Sequence, residues 1–121
     1  MSKIFTKDVE ITKAMVYAFG AATGDFNPIH YNEDGIIHGM LTGGLISSAV
    51  VDCFGEGTIY IRQDLKFTHP VKIGDTVTIT INNFIPYQEN RINFNVTVFV
   101  EKQTVAIGMG TVLNEQFDID H

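Results

Sequence analysis

The second half of the chain alternates apolar and polar residues with a period of two, which is the pattern of half-buried β-strands. It predicts four strands, over residues 59–67, 76–81, 92–100 and 105–109. Turn-forming residues separate these stretches, at 70–75, 86–90 and 101–104. One face of each strand is apolar, and a sheet built from such strands must cover that face with another element.

Residues 12–23 have a helical period instead. The apolar face of this helix would consist of Ala14, Met15, Ala18, Phe19 and Ala22, spaced three or four residues apart. Thr12 is suited to cap its N-terminus. Gly24, Asn27 and Pro28 then end the helical pattern, and a residue before proline avoids helical geometry. We therefore predict a helix over 12–23 and a rigid loop over 25–30.

A longer apolar run covers residues 39–54 and has no polar face, which predicts a helix buried on all sides. Gly43 and Gly44 are unfavourable inside a helix, so we expect close packing around them. This run is the only element apolar enough to cover the predicted sheet. The expected fold is α+β: a long antiparallel sheet wrapped around a buried central helix, which is the hot-dog architecture.

Composition narrows the possible functions. The chain has 121 residues, enough for one domain over 1–121, and a net charge of −6, which argues against nucleic-acid binding. Its single cysteine, Cys53, cannot form an internal disulfide, nor a zinc framework with the irregularly spaced histidines. We expect a reducing, cytoplasmic location, with no export signal and no membrane span. Dinucleotide and P-loop fingerprints are absent, so no cofactor is predicted.

Asp25 and His30 are the first candidates for chemistry, because a carboxylate beside an imidazole can transfer protons near neutral pH. Aspartate and asparagine before proline more often form turns, so this motif alone favours a structural role. Gly39 is the second candidate. It begins the central helix, where unpaired amides and the helix dipole can stabilise an oxyanion, although it equally suits a simple turn.

Two further polar residues flank these candidates. Ser47 lies about two turns after Gly39 and can either orient the His30 ring or bond to its own helix, and spacing alone favours the second role. His38 can cap the helix or lie in the core. Phosphates of a nucleotide ligand would need basic residues, for which the chain offers Arg62, Lys66, Lys72 and Arg91.

Two motifs, GDFNPIHY at 24–31 and IHGML at 37–41, resemble those of the MaoC-like hot-dog family, and most closely the single-domain R-specific enoyl-CoA hydratases of the PhaJ type. The resemblance extends to GTIY at 57–60 and to the stretch from Phe67 to Thr76. It implies that Asp25 and His30 hold the water that adds across a trans-2-enoyl double bond. It further implies that the Gly39 amide polarises the thioester carbonyl and that Ser47 orients the histidine.

The two motifs also contribute Asn27, His38 and Met40, which we predict to contact the substrate. The expected substrate is an acyl-CoA, with an acyl carrier protein as an alternative carrier, and no metal or cofactor takes part. We expect a homodimer or a dimer of dimers, because the charged fraction of 18% is low for a soluble domain.

Two other functions remain open at this stage. A hot-dog thioesterase would attack C1 and usually carries a carboxylate on the central helix, where this chain has only Asp52, near the far end. A non-catalytic acyl-binding subunit is the other alternative. It is kept open by the segment between His30 and His38, which is shorter than in most family members and would leave the pocket less covered.

Overall fold

The computed structural model of the protein describes residues 4–31 and 35–115. The strands are β1 (Ile4–Glu10), β2 (Ile59–Phe67), β3 (Thr76–Pro86), β4 (Arg91–Val100) and β5 (Gln103–Leu113). The helices are α1 (Lys13–Thr23) and α2 (Gly39–Phe54), with a short 3-10 turn at Pro28–His30 between them. The helix and loop predicted over 12–30 and the central helix are confirmed with these bounds.

One antiparallel sheet of five strands forms the body of the molecule, in the order β1-β3-β4-β5-β2. Its inward face is lined by branched residues such as Val77, Ile79 and Ile81 of β3, each 0% exposed. Helix α2 packs against β1, β2 and β3. The predicted arrangement, an antiparallel sheet around one helix, is therefore confirmed, and β1 and β2 are the edge strands.

The pattern did not predict strand β1, because it lacks a clean alternation. Lys7 pairs with Ile79 of β3 and so shares the inward face of the sheet, where an apolar residue is expected. Its ammonium instead binds Asp52 Oδ2 at 2.5 Å and Ser48 Oγ at 3.2 Å, both on α2. The charge on the apolar face is thus accounted for by an ion pair that ties the edge strand to the helix.

Helix α2 is not buried on all sides, contrary to the prediction. Its buried side includes Leu41, Ile46, Ala49, Val50 and Phe54. An exposed stripe runs along the opposite side and consists of Met40, Gly44, Ser48, Val51 and Asp52. The helix covers the sheet with one side only. Among the glycines, Gly43 is closely packed, since a Cβ there would lie 3.0 Å from Gln63 Nε2, whereas Gly44 faces open space.

Helix α1 follows its predicted span but uses a different face. Thr12 caps it by accepting a hydrogen bond from the Met15 amide, as expected. Its buried residues are Val16 and Gly20, with Met15 and Phe19 half-buried, whereas the predicted face members Ala14, Ala18 and Ala22 are exposed. Small residues are compatible with either environment, and here the larger Val16 takes the inward position. No helix in the described part of the chain is long and apolar enough to cross a membrane.

The Phe94 ring anchors the core beneath the end of α2. It is 1% exposed and lies 5.5 Å from the Phe54 ring and 5.8 Å from the Tyr60 ring, measured between centroids. A side chain at Gly110 would overlap it, since a Cβ there would lie 2.6 Å from the Phe94 ring. Replacing this ring would leave a cavity that its neighbours cannot close.

We expect Phe94→Ala to lower the free energy of unfolding by about 3–5 kcal/mol, through lost burial and the cavity that remains. Urea denaturation followed by circular dichroism measures the change. Phe99→Ala is the matched control, because Phe99 lies on the same strand but on the opposite, half-buried face. Equal losses in the two variants would contradict the assignment of the core.

Candidate active site

The loop after α1 is built by the two side chains that the sequence marked as turn formers. The Asn27 amide donates to Asp25 Oδ1 at 3.2 Å, and the Ile29 amide donates to Asn27 Oδ1 at 3.2 Å, which caps the 3-10 turn at Pro28–His30. Asp25 therefore uses one carboxylate oxygen for the turn. The other oxygen, Oδ2, points towards the histidines and remains available for chemistry.

His30 is held by a backbone carbonyl. Its Nδ1 lies 2.5 Å from the Ile36 oxygen, and the ring is largely buried. A carbonyl oxygen can only accept a hydrogen bond, so Nδ1 must carry the proton. In the neutral ring, Nε2 then bears the lone pair. That nitrogen lies 3.7 Å from Asp25 Oδ2, so the lone pair faces the free carboxylate oxygen.

These two atoms are too far apart for a direct hydrogen bond, and their separation leaves room for a bridging water. A hydrogen bond from nitrogen to oxygen spans roughly 2.7–3.2 Å, and polar atoms farther apart than about 3.5 Å are commonly bridged. Two acceptors 3.7 Å apart can each receive one hydrogen of the same water molecule. The pair is thus arranged to hold a water between a base and a carboxylate.

The His38 ring lies against one face of the His30 ring. The ring centroids are 3.8 Å apart in a stacked arrangement, and His38 is only 2% exposed. Its Nε2 donates to the backbone oxygen of Asp25 at 3.1 Å. Its Nδ1 is buried without a hydrogen-bond partner in the described part of the chain, an arrangement that costs roughly 1–3 kcal/mol.

Asp25, His30 and His38 also form a cluster in which one ligand atom from each lies within 4.8 Å of the others. A metal ion requires lone pairs, and protein zinc sites use three or four ligands. His38 Nε2 uses its proton to bind the Asp25 carbonyl, which leaves His30 Nε2 and the Asp25 carboxylate facing one another. The donor set therefore suits a water better than a metal ion.

Gly39 begins α2 immediately after His38. The first amides of a helix have no intrahelical acceptor, and the His38 side chain makes no capping hydrogen bond to them. A cavity of about 360 Å³ reaches Gly39, with Ile36, Thr42, Phe67 and His69 among its lining residues. A Cβ at position 39 would lie 3.3 Å from the Phe67 ring. An elongated ligand can thus approach the exposed helix terminus from this cavity.

Known proteins are similar to this chain over most of its length. Residues 2–107 match the model of the MaoC like domain. This chain belongs to the MaoC-like family. The (R)-specific enoyl-CoA hydratase of Rhodospirillum rubrum is 37% identical over 115 residues, which cover 85% of this chain and 79% of that protein. The 3-hydroxybutyryl-CoA dehydratase of Methylorubrum extorquens is 36% identical, covering 85% and 73%.

A solved structure shows the same architecture. The (R)-hydratase from A. caviae involved in PHA biosynthesis has a TM-score of 0.84 and 27% identity, and the match covers 93% of this chain and 94% of that one. The hot-dog fold predicted from the sequence is therefore confirmed. The resemblance to R-specific hydratases of the PhaJ type is confirmed as well.

Of the residues that the family motifs single out, the structure brings Asp25 and His30 together. Gly39 directly follows His38, whose ring stacks on the His30 ring. Ser47 lies about 12 Å along α2 from Gly39, at ~1.5 Å per residue, and the His30 ring that it was predicted to orient is held through Nδ1 by the Ile36 oxygen. The role of Ser47 stays a prediction. Met40 is 62% exposed beside Gly39 and is accessible to a substrate.

Substrate contacts by Asn27 and His38 also stay predictions, because the structure gives both residues another role. Sequence reasoning did not identify Tyr31 or Gly20. The Tyr31 hydroxyl donates to the Asp25 backbone oxygen at 3.0 Å, and a Cβ at Gly20 would overlap that hydroxyl. A glycine inside a helix, one turn before the DFNP motif, was the available signal of a close approach.

Asn27 offers a test that separates its turn role from substrate binding. We expect Asn27→Ala to lower the free energy of unfolding by about 1 kcal/mol, because the 3-10 turn loses its cap. Asn27→Asp keeps the acceptor and should retain wild-type stability and KM. Thermal melts and steady-state kinetics on crotonyl-CoA provide the two measurements. A large rise in KM for Asn27→Asp alone would show that the lost amide hydrogens had bound the substrate.

Proposed function

We propose that this protein catalyses the R-specific hydration of trans-2-enoyl-CoA to (R)-3-hydroxyacyl-CoA, and the reverse dehydration. The observation that carries the proposal is the placement of His30 Nε2 and Asp25 Oδ2, 3.7 Å apart, beside the uncapped start of α2. The curated relatives named as a hydratase and a dehydratase support it. As a hydro-lyase of this kind, the protein needs neither metal nor cofactor.

The reaction begins with the thioester carbonyl at the N-terminus of α2. A hydrogen bond from the Gly39 amide, together with the helix dipole, draws electrons from C2=C3 and makes C3 electrophilic. The His30 Nε2 lone pair takes one proton of the bound water as the water oxygen bonds to C3. The electron pair of the double bond moves towards the thioester oxygen, giving an enolate that the amide stabilises.

The second half of the reaction returns the proton. The His30 imidazolium donates it to C2, the enolate collapses to the thioester, and Nε2 regains its lone pair. The Asp25 carboxylate accepts the other hydrogen of the water and stabilises the positive ring while it exists. Because one water supplies both the hydroxyl and the proton, they add to the same face of the double bond.

The cavity beside Gly39 determines how the substrate is oriented. Asp25 and His30 are not among the described residues that line it, whereas Gly39 is. With the carbonyl at Gly39, one arm of the thioester enters this cavity, and the C2=C3 bond lies towards His30. The apolar lining from Ile36 and Phe67 suits an acyl chain or the apolar part of a pantetheine arm.

We expect Asp25→Asn and His30→Asn each to lower kcat for crotonyl-CoA hydration by about 100-fold or more, because each removes one partner of the water. The first variant would keep the side-chain acceptor for the Asn27 amide, and the second would keep a donor towards the Ile36 oxygen, so both should fold. His30→Ala should be equally inactive. Loss of enoyl absorbance measures the rate, and chiral analysis of the product measures the configuration.

Asp8→Asn is the matched control, since Asp8 is a carboxylate on β1 that accepts one hydrogen bond from Thr78. It should retain wild-type activity. Full activity in Asp25→Asn or in His30→Asn would overturn the proposal, as would an S-configured product.

A thioesterase activity receives less support from the structure. The carboxylate that α2 carries, Asp52, is near its far end and is bound by Lys7. Incubating the protein with saturated and unsaturated acyl-CoA in the presence of a thiol reagent separates the activities, because a thioesterase releases free CoA. A non-catalytic acyl-binding subunit would instead bind the ligand without turnover.

We further propose that two copies associate through strand β2. One side of this edge strand has no partner strand within the described residues, and Ile59 and Ile61 of the strand are 55% and 44% exposed. Exposed apolar edges invite pairing with another strand, and an antiparallel pair of β2 strands would extend the sheet into a second copy. The low charged fraction of 18% agrees with a covered surface.

We expect light scattering to give the wild-type protein a mass of about twice its monomer mass of 13.4 kDa. Ile61→Lys should shift it to the monomer, because the new charge would be buried against the second copy. Ile85→Lys is the control: Ile85 is 59% exposed on β3, away from this edge. A dimer that survives Ile61→Lys would place the interface elsewhere.

A further inference from the structure

We propose that Tyr31 and His38 are positioning residues that fix the catalytic carboxylate by clamping the backbone oxygen of Asp25. The Tyr31 hydroxyl donates to this oxygen at 3.0 Å, and His38 Nε2 donates to it at 3.1 Å. The inference deepens the proposed hydration and rests on it. It assigns a role to two side chains that are not needed to bind the reacting atoms.

The clamp adds to two local hydrogen bonds of Asp25, one of which runs from its amide to Thr23 Oγ1 at 3.3 Å. The Asp25 side chain is 49% exposed on a loop, and within the described chain the bond that fixes the carboxylate is the one from the Asn27 amide to Oδ1. The reacting oxygen, Oδ2, must stay at 3.7 Å from His30 Nε2 to share a water. Two donors on the backbone oxygen of the same residue restrict the orientation of its peptide plane.

Each donor comes from a different part of the fold. Tyr31 follows the 3-10 turn, and its ring also packs against the Tyr17 ring, 5.1 Å between centroids. His38 precedes α2 and packs between Phe19 and His30, at 4.8 and 3.8 Å. The clamp therefore joins α1, the loop and the start of α2 at a single oxygen atom. It keeps the position of Asp25 fixed relative to both His30 and Gly39.

Gly20 makes room for this arrangement. A Cβ on Gly20 would overlap the Tyr31 hydroxyl and would lie 3.1 Å from the Asp25 oxygen. The absence of a side chain on α1 thus permits the tyrosine to reach its acceptor. A side chain at Gly20 therefore provides a way to open the Tyr31 half of the clamp without changing either donor.

His38 is better explained by this role than by core packing. A core position would favour an apolar ring, since the buried Nδ1 of His38 has no partner among the described residues. An aromatic carbon ring would avoid that penalty but has no donor for the Asp25 oxygen. The imidazole at this position therefore fits a role for its Nε2 proton better than a role in core packing.

The Tyr31 donor is present throughout the working pH range. Desolvation by partial burial, followed by the charge of Asp25, raises the pKa of the Tyr31 phenol above its ordinary value of 10.0. A phenol with a raised pKa stays protonated, and keeps donating, at every pH below that value. Removing it should lower the height of the pH–rate profile between about pH 6 and 9 without changing its shape.

The test compares Tyr31→Phe, His38→Phe and the double variant with His38→Gln, whose side-chain amide reaches about as far as Nε2. A shift of about 1 Å in a reacting group can cost about 100-fold in rate. We expect kcat to fall about tenfold in each Phe variant and about 100-fold in the double variant, with KM within about threefold of wild type. His38→Gln should recover most of the loss.

Two further variants complete the design. Gly20→Ala should lower kcat as Tyr31→Phe does, and combining the two should add little, because both act on the same hydrogen bond. Tyr17→Phe removes a hydroxyl from the neighbouring ring without touching the Asp25 oxygen, and should be as active as wild type. Thermal melts establish that every variant folds, and His38→Phe should melt no lower than wild type.

Crystal structures of the wild type and of the double variant provide a readout that does not depend on turnover. The distance between Asp25 Oδ2 and His30 Nε2 should depart from 3.7 Å in the double variant. Wild-type protein without hydratase activity would contradict the proposed function, whereas this distance would still test the clamp. Unchanged kcat in the double variant, equal losses in His38→Phe and His38→Gln, or a rise in KM alone would overturn the clamp.

Discussion

The packing of one side of α2 against the sheet is the constraint on which the rest of the molecule depends. Burial of Leu41, Ile46 and Phe54 fixes the helix along its length. At its far end, the ion pair from Lys7 to Asp52 attaches the edge strand β1. At its near end, the same packing fixes where the first amides of the helix lie. The site is therefore assembled at a helix terminus whose position the core determines.

In the DFNP loop, the structural role of Asp25 is compatible with the catalytic role proposed for it. Aspartate before asparagine and proline predicts an Asx turn, and Asp25 Oδ1 accepts the expected bond. A carboxylate has two oxygens, however, and the turn uses one. The turn fixes the side chain so that Oδ2 faces His30. The two roles of such a motif are compatible because different atoms of the same side chain serve them.

Periodicity predicted α1, α2 and strands β2 to β5 because these elements carry their apolar residues at regular spacing. It missed β1 because Lys7 interrupts the inward face, and the partner that explains the lysine is Asp52, far along the sequence. It also overestimated the burial of α2, since apolar residues such as Met40 and Val51 lie on its exposed side. The motif residues Asp25, His30 and Gly39 were identifiable because the family resemblance covered them.

The contacts of those residues were not predictable in the same way. His30 is oriented by the Ile36 oxygen, and every residue carries such an oxygen, so no side chain in the sequence signals it. The roles of Tyr31 and His38 likewise depend on a shared backbone acceptor, the Asp25 oxygen. A contact between two side chains constrains the residue type at both positions. A contact from a side chain to a backbone oxygen constrains only the residue that donates, because every residue carries such an oxygen.

The short segment between His30 and His38 acquires a different meaning from these contacts. The Ile36 amide donates a hydrogen bond to the Ile29 oxygen, and the Ile36 oxygen accepts one from His30 Nδ1. One residue thus holds the loop through two hydrogen bonds. Ile37 donates to the Val71 oxygen, and Ile73 donates to the Gly35 oxygen, which ties the segment to the chain after β2. The Ile36 oxygen and the His38 ring both lie directly against His30. Residues 35–38 of this segment thus supply groups that hold His30 in place.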